Sequence, residues 1–171
     1  INLDGVFNCT KVFIDDMLKR GFGRIVNITS VIGLIGNFGQ ANYAAAKLGI
    51  AALSKSIALD MAKFKVTSNC IAPFAWSRMI GTIPAETPDQ KARLEKIKRM
   101  ETSKIAPLAV YLASDASQDV TGQIFAVRAN ELFLMSQNRP LRSVHRAEGW
   151  TPGTIAEQAI PALRAHFYAL D

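Results

Sequence analysis

Apolar and polar positions along this chain follow two different periods, and the change of period predicts the order of its elements. From Asn2 to Lys19, apolar residues recur at helical spacing, and Gly21 follows a basic last turn as at the end of a helix. The segment from Arg24 to Thr29 is short, β-branched and mostly apolar, which is typical of a buried parallel strand. A glycine-containing loop follows, and the Ala-rich stretch from Gln40 to Lys63 predicts a long helix packed on one face.

A second strand is predicted directly after that helix. It runs from Lys65 to Ala72, and Pro73 should end it. Strand, helix and strand at this spacing form a βαβ unit, which predicts an α/β fold with a parallel sheet. Further elements are predicted beyond it: a charged helix at Asp89–Arg99 in a lid-like segment, a helix at Ser103–Leu112, a strand at Gln123–Val127, a hairpin partner at Glu131–Ser136 and a short helix at Thr154–Ala165.

Composition and charge narrow the class of protein. The 171 residues are 49% hydrophobic and 20% charged, an ordinary balance for one globular domain. The net charge of +6 comes from Lys and Arg residues scattered among acids, so we expect a solvated basic surface and no nucleic-acid partner. No apolar run approaches the roughly twenty residues of a membrane helix, so no membrane association is expected. Cys9 and Cys70 lack metal-ligand spacing, which favours reduced thiols in a cytoplasmic protein and no metal site.

Three side chains suggest chemistry at the end of the first strand. Tyr43 and Lys47 stand four positions apart, so they project from one helix face, and a Lys ammonium stabilises a phenolate that can exchange a proton with an alcohol or carbonyl. The pair is easily met by chance, and the alternative is an ordinary exposed helix face. Ser30 falls where open α/β sheets place their ligand crevice, and its alternative role is a helix or turn cap.

The run from Ser30 to Lys47 closely resembles the signature of the short-chain dehydrogenase/reductase family. The resemblance implies a Rossmann-like doubly wound parallel sheet, NAD or NADP as cofactor, and interconversion of an alcohol and a ketone. It implies that Tyr43 is the acid/base, that Lys47 stabilises the phenolate and binds the nicotinamide ribose, and that Ser30 orients the carbonyl. The strand, loop and helix predicted around these residues agree with that assignment.

Two further segments extend the resemblance. Asn2, in Asn-Leu-Asp-Gly-Val-Phe, matches the helical Asn of the family's Asn-Ser-Tyr-Lys tetrad, although a plain exposed Asn is the alternative. Asn69–Met79 is similar to the segment that packs on the nicotinamide, which implies cofactor contacts from Pro73, Phe74 and Ser77. Phe74 replaces the customary Gly, and Ser77 comes one residue before the usual Thr, so the details of cofactor contact depart from the family pattern.

The Pro-x-Ala-x-Ser-Arg-Met form of the same segment gives the substrate prediction. It is similar to the (3R)-hydroxyacyl-CoA dehydrogenase type, which implies a 3-hydroxyacyl or 3-oxoacyl thioester as substrate. The alternatives are 3-oxoacyl-carrier-protein reductase and another alcohol dehydrogenase. A set of basic residues in the tail either meets a CoA phosphate or is simply solvated, and the solvated role is favoured: Arg128, Arg139, Arg142, His145 and Arg146.

The domain prediction rests on a segment that members of the family carry N-terminal to the part resembled here. Its glycine-rich nucleotide-binding turn has no counterpart here, so residues 1–128 are predicted to be the C-terminal half of the Rossmann domain, with the N-terminal nucleotide-binding half absent. Residues 129–171 are predicted to be an extension that packs on the same domain. A homo-oligomer, dimer or tetramer, is expected, and a hypothesis of another class is a non-catalytic fragment that acts only through subunit contacts.

Overall fold

The computed structural model describes residues 2–77, 80–82 and 86–169. Short 3₁₀ turns join several of the longer elements. In chain order the helices and strands are α1 (Asn2–Arg20), β1 (Gly23–Ile28), α2 (Val31–Ile35), α3 (Ala41–Met61), β2 (Val66–Phe74), α4 (Pro88–Lys98), α5 (Ala106–Ala113), β3 (Ile124–Arg128), β4 (Glu131–Leu134), α6 (Pro152–Thr154) and, after a π-helical turn at Ile155–Ala159, α7 (Ile160–Leu163).

The strands form one sheet in the order β1-β2-β3-β4. β1 pairs with β2 in parallel, from Gly23 opposite Val66 to Ile28 opposite Ile71, and β2 pairs with β3 in parallel. β4 then turns back and runs antiparallel to β3. The predicted βαβ unit, the parallel sheet and the hairpin partner are therefore confirmed.

Two apolar layers cover the two faces of the sheet. Because side chains alternate along a strand, neighbouring residues of β2 enter opposite layers. Cys70 packs with Ile50 and Ala51 of α3, and Ile71 packs with Leu108 and Leu112 of α5. Helices thus lie on both faces, which confirms the doubly wound α/β class, here as part of a Rossmann-like sheet.

The prediction that Pro73 ends the second strand is wrong. β2 continues through Pro73, which lies opposite Val127, to Phe74. Successive N–H groups of a central strand point alternately to its two neighbours, and the N–H of Cys70 donates to Gln123 on the β3 side. The backbone nitrogen of Pro73 therefore points to the β1 side of β2. Because β1 has already ended at Ile28, no hydrogen bond of the sheet is lost by the absence of an N–H at this position.

The predicted glycine loop after β1 is also wrong in part. Residues Val31–Ile35 form the short helix α2, and Gly33 lies buried inside it. The turn itself begins only at Gly36, whose φ of 83° is a left-handed conformation that glycine adopts without strain.

The chain divides into two compact units, one ending at Met135 and one from Ser136 onwards. In the second unit, Thr151 and Thr154 form a capping box, and Arg146 contacts Gln158 at 3.2 Å. The predicted boundary after residue 128 and the packing of the extension on the domain stay predictions. In the part of the chain that the structure describes, no helix combines the length and apolarity needed to cross a membrane.

Candidate active site

Ser30 caps the helix that follows β1. Its backbone is extended, and its Oγ accepts a hydrogen bond from the N–H of Ile32 at 3.2 Å. The side chain is largely buried, with 8% of the residue exposed. Ser30 therefore has the helix-capping role that was the alternative to a catalytic one. Capping uses only a lone pair of Oγ, so the hydroxyl proton remains free to be donated to a carbonyl oxygen.

Tyr43 and Lys47 lie in the first two turns of α3 and come together as predicted. The Lys47 Nζ lies 5.8 Å from the centroid of the Tyr43 ring. The same ammonium donates a hydrogen bond to the carbonyl oxygen of Ile28 at 3.0 Å. Lys47 is thereby joined to the carboxyl end of β1, two residues before Ser30, so the cation, the phenol and the serine converge on this end of the sheet.

Two residues that the sequence pattern did not single out hold the backbone of Lys47. Thr29 Oγ1 donates to the carbonyl oxygen of Lys47 at 2.5 Å. Gly33 packs so closely that a Cβ added there would lie 2.8 Å from Lys47 Cβ. The sequence shows Thr29 as a hydroxyl residue directly before Ser30 and Gly33 as a glycine shortly after it. Neither feature indicates that the residue contacts Lys47 until the fold is known.

Asn2 shares an open groove with Lys47. The groove lies between α1 and β1 and has a volume of about 440 Å³. Its lining comprises Asn2, Gly5, Val6, Cys9, Val26, Asn27, Ile28 and Lys47. Asn2 is exposed, whereas Asn27 is buried and its Nδ2 has no hydrogen-bond partner within the described residues. The fold therefore places the candidate tetrad asparagine on the Lys47 side of the site.

The three residues predicted to contact only the cofactor lie at or beyond the end of β2. Because β1 and β2 are parallel, Pro73 and Phe74 lie at the same edge of the sheet as Ser30. Phe74 is 37% exposed, and Ser77 Oγ accepts from the N–H of Ile80 at 3.3 Å. Within the described ranges, none of the three is hydrogen-bonded to the other candidate residues. Arg78 and Met79, which complete the substrate motif, lie outside those ranges.

The donor set fits a nicotinamide nucleotide. The Lys47 ammonium and the Tyr43 hydroxyl are donors suited to ribose hydroxyls, and the exposed Phe74 ring offers an apolar face to a flat heterocycle. Across residues 2–77, 80–82 and 86–169, no three His, Cys, Asp or Glu side chains come together as metal ligands. Arg128, one of the basic tail candidates, is engaged with Glu131 at 2.8 Å.

Comparison with known proteins assigns the class that this sheet edge and its residues define. The profile of the family described as enoyl-(acyl carrier protein) reductase matches residues 1–129. The chain therefore belongs to the short-chain dehydrogenase/reductase family. The resemblance drawn from the Ser30–Lys47 signature is confirmed.

Particular relatives can be named. The 3-oxoacyl-acyl-carrier-protein reductase FabG of Staphylococcus epidermidis is 40% identical over 128 residues, which is 74% of this chain and 52% of that protein. Nodulation protein G of Rhizobium sp. strain N33 is 40% identical over 129 residues, 74% of this chain and 53% of that protein. The chain thus spans about half the length of the curated relatives it matches.

Two solved structures share the fold of this chain. A short-chain dehydrogenase from Mycobacterium avium superposes with a TM-score of 0.78 at 27% identity, covering 99% of this chain and 55% of that one. The full-length peroxisomal multifunctional enzyme type 2 from Drosophila melanogaster superposes with a TM-score of 0.74 at 27% identity, covering 94% of this chain and 28% of that one. Both alignments extend past residue 129, where the family profile ends.

Proposed function

We propose that this protein is an NAD(P)-dependent oxidoreductase that interconverts a secondary alcohol and a ketone, with a 3-hydroxyacyl or 3-oxoacyl thioester as substrate. The observation that carries the proposal is the position of the Lys47 ammonium, 5.8 Å from the Tyr43 ring and hydrogen-bonded to Ile28 beside Ser30. A phenol, an ammonium and a free hydroxyl proton at one sheet edge are the groups that proton transfer to a carbonyl oxygen needs.

Each side chain has a separate task in the proposed reaction. In the direction of reduction, the Ser30 hydroxyl donates a hydrogen bond to the ketone oxygen, and the Tyr43 hydroxyl gives its proton to that oxygen. The Lys47 ammonium stabilises the resulting phenolate and contacts the nicotinamide ribose. When bound, the nicotinamide supplies the hydride, or accepts it in the direction of oxidation. Asn2, which lines the same groove as Lys47, would hold a water that returns a proton to the site.

The substrate assignment has support from the relatives and from the surface beside the site. FabG is named as acting on 3-oxoacyl groups on a carrier protein, so a carrier-protein thioester is the second candidate, ahead of other alcohols. Between Ser30 and Tyr43 two large apolar side chains are exposed, Ile35 by 56% and Phe38 completely. They give an acyl chain an apolar surface to cover, in the segment that joins Ser30 to Tyr43.

We further infer a cytoplasmic homo-oligomer, dimer or tetramer, with neither nucleic acid nor membrane as a partner. Exposed apolar side chains on α1 support association, since Phe7, Val12 and Phe13 are each at least half exposed. Residues 1–128 would supply the catalytic half of the Rossmann domain, and Pro73, Phe74 and Ser77 would lie against the nicotinamide. The competing function is that of a non-catalytic chain that acts only through these subunit contacts.

The decisive experiment is Tyr43→Phe in the protein expressed from its complete gene. We expect turnover of acyl thioesters to be lost while NAD or NADP still binds, because the variant removes the hydroxyl that transfers the proton and leaves the ring and Lys47 in place. Tyr111→Phe, at an exposed tyrosine of α5, is the matched control and should keep its activity. Near-normal turnover in Tyr43→Phe would refute the proposal. Assays with CoA thioesters, carrier-protein thioesters and simple alcohols, each with both cofactors, separate the substrate candidates.

A cofactor titration of the 171-residue chain tests the competing function. The proposed enzyme needs nucleotide-binding residues beyond those described, so this chain alone should bind NAD and NADP weakly. Tight, saturable binding would show that the chain is sufficient. If the protein from the complete gene also binds neither cofactor, the non-catalytic function is favoured.

A further inference from the structure

We propose that Thr29 is a positioning residue for Lys47, holding the lysine backbone so that its ammonium stays beside Tyr43. The inference rests on the proposed function, in which Lys47 stabilises the Tyr43 phenolate. It adds a residue that lies outside the Asn-Ser-Tyr-Lys set and that touches neither substrate nor cofactor in the proposed reaction.

The contacts of Thr29 are made in a nearly dry environment. The residue is 2% exposed, and its N–H donates to the carbonyl oxygen of Ile71 at 2.9 Å, which fixes Thr29 to the neighbouring strand β2. Its Oγ1 donates to the carbonyl oxygen of Lys47 at 2.5 Å. Because Thr29 is almost fully buried, water competes little for its hydroxyl, so this hydrogen bond ties one turn of α3 to the sheet.

Lys47 is consequently fixed at both of its ends by two successive residues. Thr29 holds its backbone carbonyl, and the carbonyl oxygen of Ile28 accepts a hydrogen bond from its Nζ at 3.0 Å. The lysine side chain has four rotatable bonds and would otherwise sample many positions. Because the interaction of an ammonium with a phenolate weakens with distance, fixing both ends keeps the stabilisation in place throughout the reaction.

The Lys47 carbonyl does not need the Thr29 hydroxyl in order to have a hydrogen-bond partner. Inside α3 the carbonyl of Lys47 already lies where the N–H four residues later can donate to it, so its need for a partner is met without Thr29. The added bond instead fixes the distance between the end of β1 and the turn of α3 that carries Lys47. Thr29→Val keeps the shape and removes only the donor, which makes it the informative variant.

The test compares Thr29→Val, Thr29→Ser and Thr29→Cys in the protein from its complete gene. We expect Thr29→Val to lower kcat about tenfold with little change in KM, as loss of one buried hydrogen bond from the reacting arrangement would. Thr29→Ser should restore kcat, and Thr29→Cys, a weaker donor of similar size, should lie between them. Ser54→Ala is the matched control, since Ser54 is a buried hydroxyl of the same helix that contacts Ser68 of β2 at 2.8 Å. It should lower Tm and leave kcat unchanged.

A second measurement needs neither cofactor nor activity. Reductive methylation of the 171-residue chain, followed by mass spectrometry, gives the rate at which Lys47 is labelled relative to Lys55 of the same helix. We expect the relative rate to rise several-fold in Thr29→Val and to return in Thr29→Ser. Unchanged kcat or unchanged labelling in Thr29→Val would overturn the inference. Activity in Lys47→Ala would instead refute the proposed function, and an inactive Lys47→Ala beside a normal Thr29→Val would refute only the role of Thr29.

Discussion

Gly33 lies against the backbone of Lys47 with no room for a side chain between them. A Cβ added to Gly33 would lie 2.8 Å from both Lys47 Cβ and the Leu48 nitrogen, far inside ordinary van der Waals contact. These are atoms of a helix backbone and of a side chain at its root, so they cannot swing aside. The contact sets how closely α2, and Ser30 at its cap, approach the helix that carries Tyr43 and Lys47.

Gly33→Ala should therefore destabilise the fold and disturb the site. We expect the free energy of unfolding to fall by about 1–3 kcal/mol, the usual cost of forcing an extra methyl group into a packed core. Gly5→Ala is the control, because a Cβ on Gly5 meets nothing within 4 Å and Ala favours a helix interior. Urea denaturation of both variants checks the prediction. Equal stability of the two would mean that α2 can move away from α3 without cost.

Features set within one segment of the chain could be predicted from the sequence, whereas contacts between elements, such as that of Gly33 with Lys47, could not. The βαβ unit and the Tyr43–Lys47 pair follow from periodicities within one segment, so they could be read locally. The path of β2 through Pro73 depends on where a neighbouring strand ends, and the Thr29–Lys47 bond joins residues 18 positions apart. Such contacts are set by the packing of one element on another, which a single sequence does not encode as a local pattern.

The two cysteines should differ sharply in reactivity. Cys9 is exposed on α1, whereas Cys70 is fully buried in β2. Burial raises the pKa of the Cys70 thiol above its ordinary value, although a hydrogen bond with Ser54 partly opposes this. Since the thiolate is the reactive form, iodoacetamide at mildly alkaline pH should modify Cys9 rapidly and Cys70 only on unfolding. Peptide mass spectrometry after a timed quench measures both rates, and equal rates would contradict the buried position of Cys70.

The same raised pKa predicts a pH dependence of stability. The native state holds the Cys70 proton more tightly than the unfolded chain does, so the contribution is full below the unfolded pKa of about 8.5 and is lost as pH rises through the higher folded value. The stability of the native chain should thus decline on the alkaline side, and Cys70→Ala should flatten that part of the decline. Urea midpoints measured at a series of alkaline pH values test this, and an undiminished decline in Cys70→Ala would contradict it.

Asn69 should be one of the most costly polar positions to replace. It is fully buried, its Nδ2 donates to the carbonyl of Val120 at 2.7 Å, and its Oδ1 accepts from the N–H of Gln123 at 3.0 Å. Asn69→Leu leaves both backbone groups without partners, so we expect a loss of roughly 2–5 kcal/mol in the free energy of unfolding. Glu131→Gln, at an exposed ion pair with Arg128, should cost less than about 1 kcal/mol. Chemical denaturation of both variants gives the comparison, and similar losses would contradict it.

Phe38 provides a test of the acyl-chain assignment that is independent of the proton-transfer residues. Its side chain is completely exposed between Ser30 and Tyr43, and so large an apolar surface is unfavourable in water unless something covers it. If a substrate chain does so, Phe38→Ser should lower kcat/KM for a long-chain 3-oxoacyl thioester about tenfold, since part of the transfer free energy of a Phe side chain is lost.

The same variant should change kcat/KM little for a four-carbon thioester, whose chain is too short to reach along the loop. Leu59→Ser is the matched control, because Leu59 is 75% exposed near the far end of α3. It should leave the chain-length preference unchanged. An equal loss for short and long substrates in Phe38→Ser would contradict the acyl-chain assignment. A weakened oligomer in sedimentation of the same variant would assign the apolar surface to a subunit contact instead.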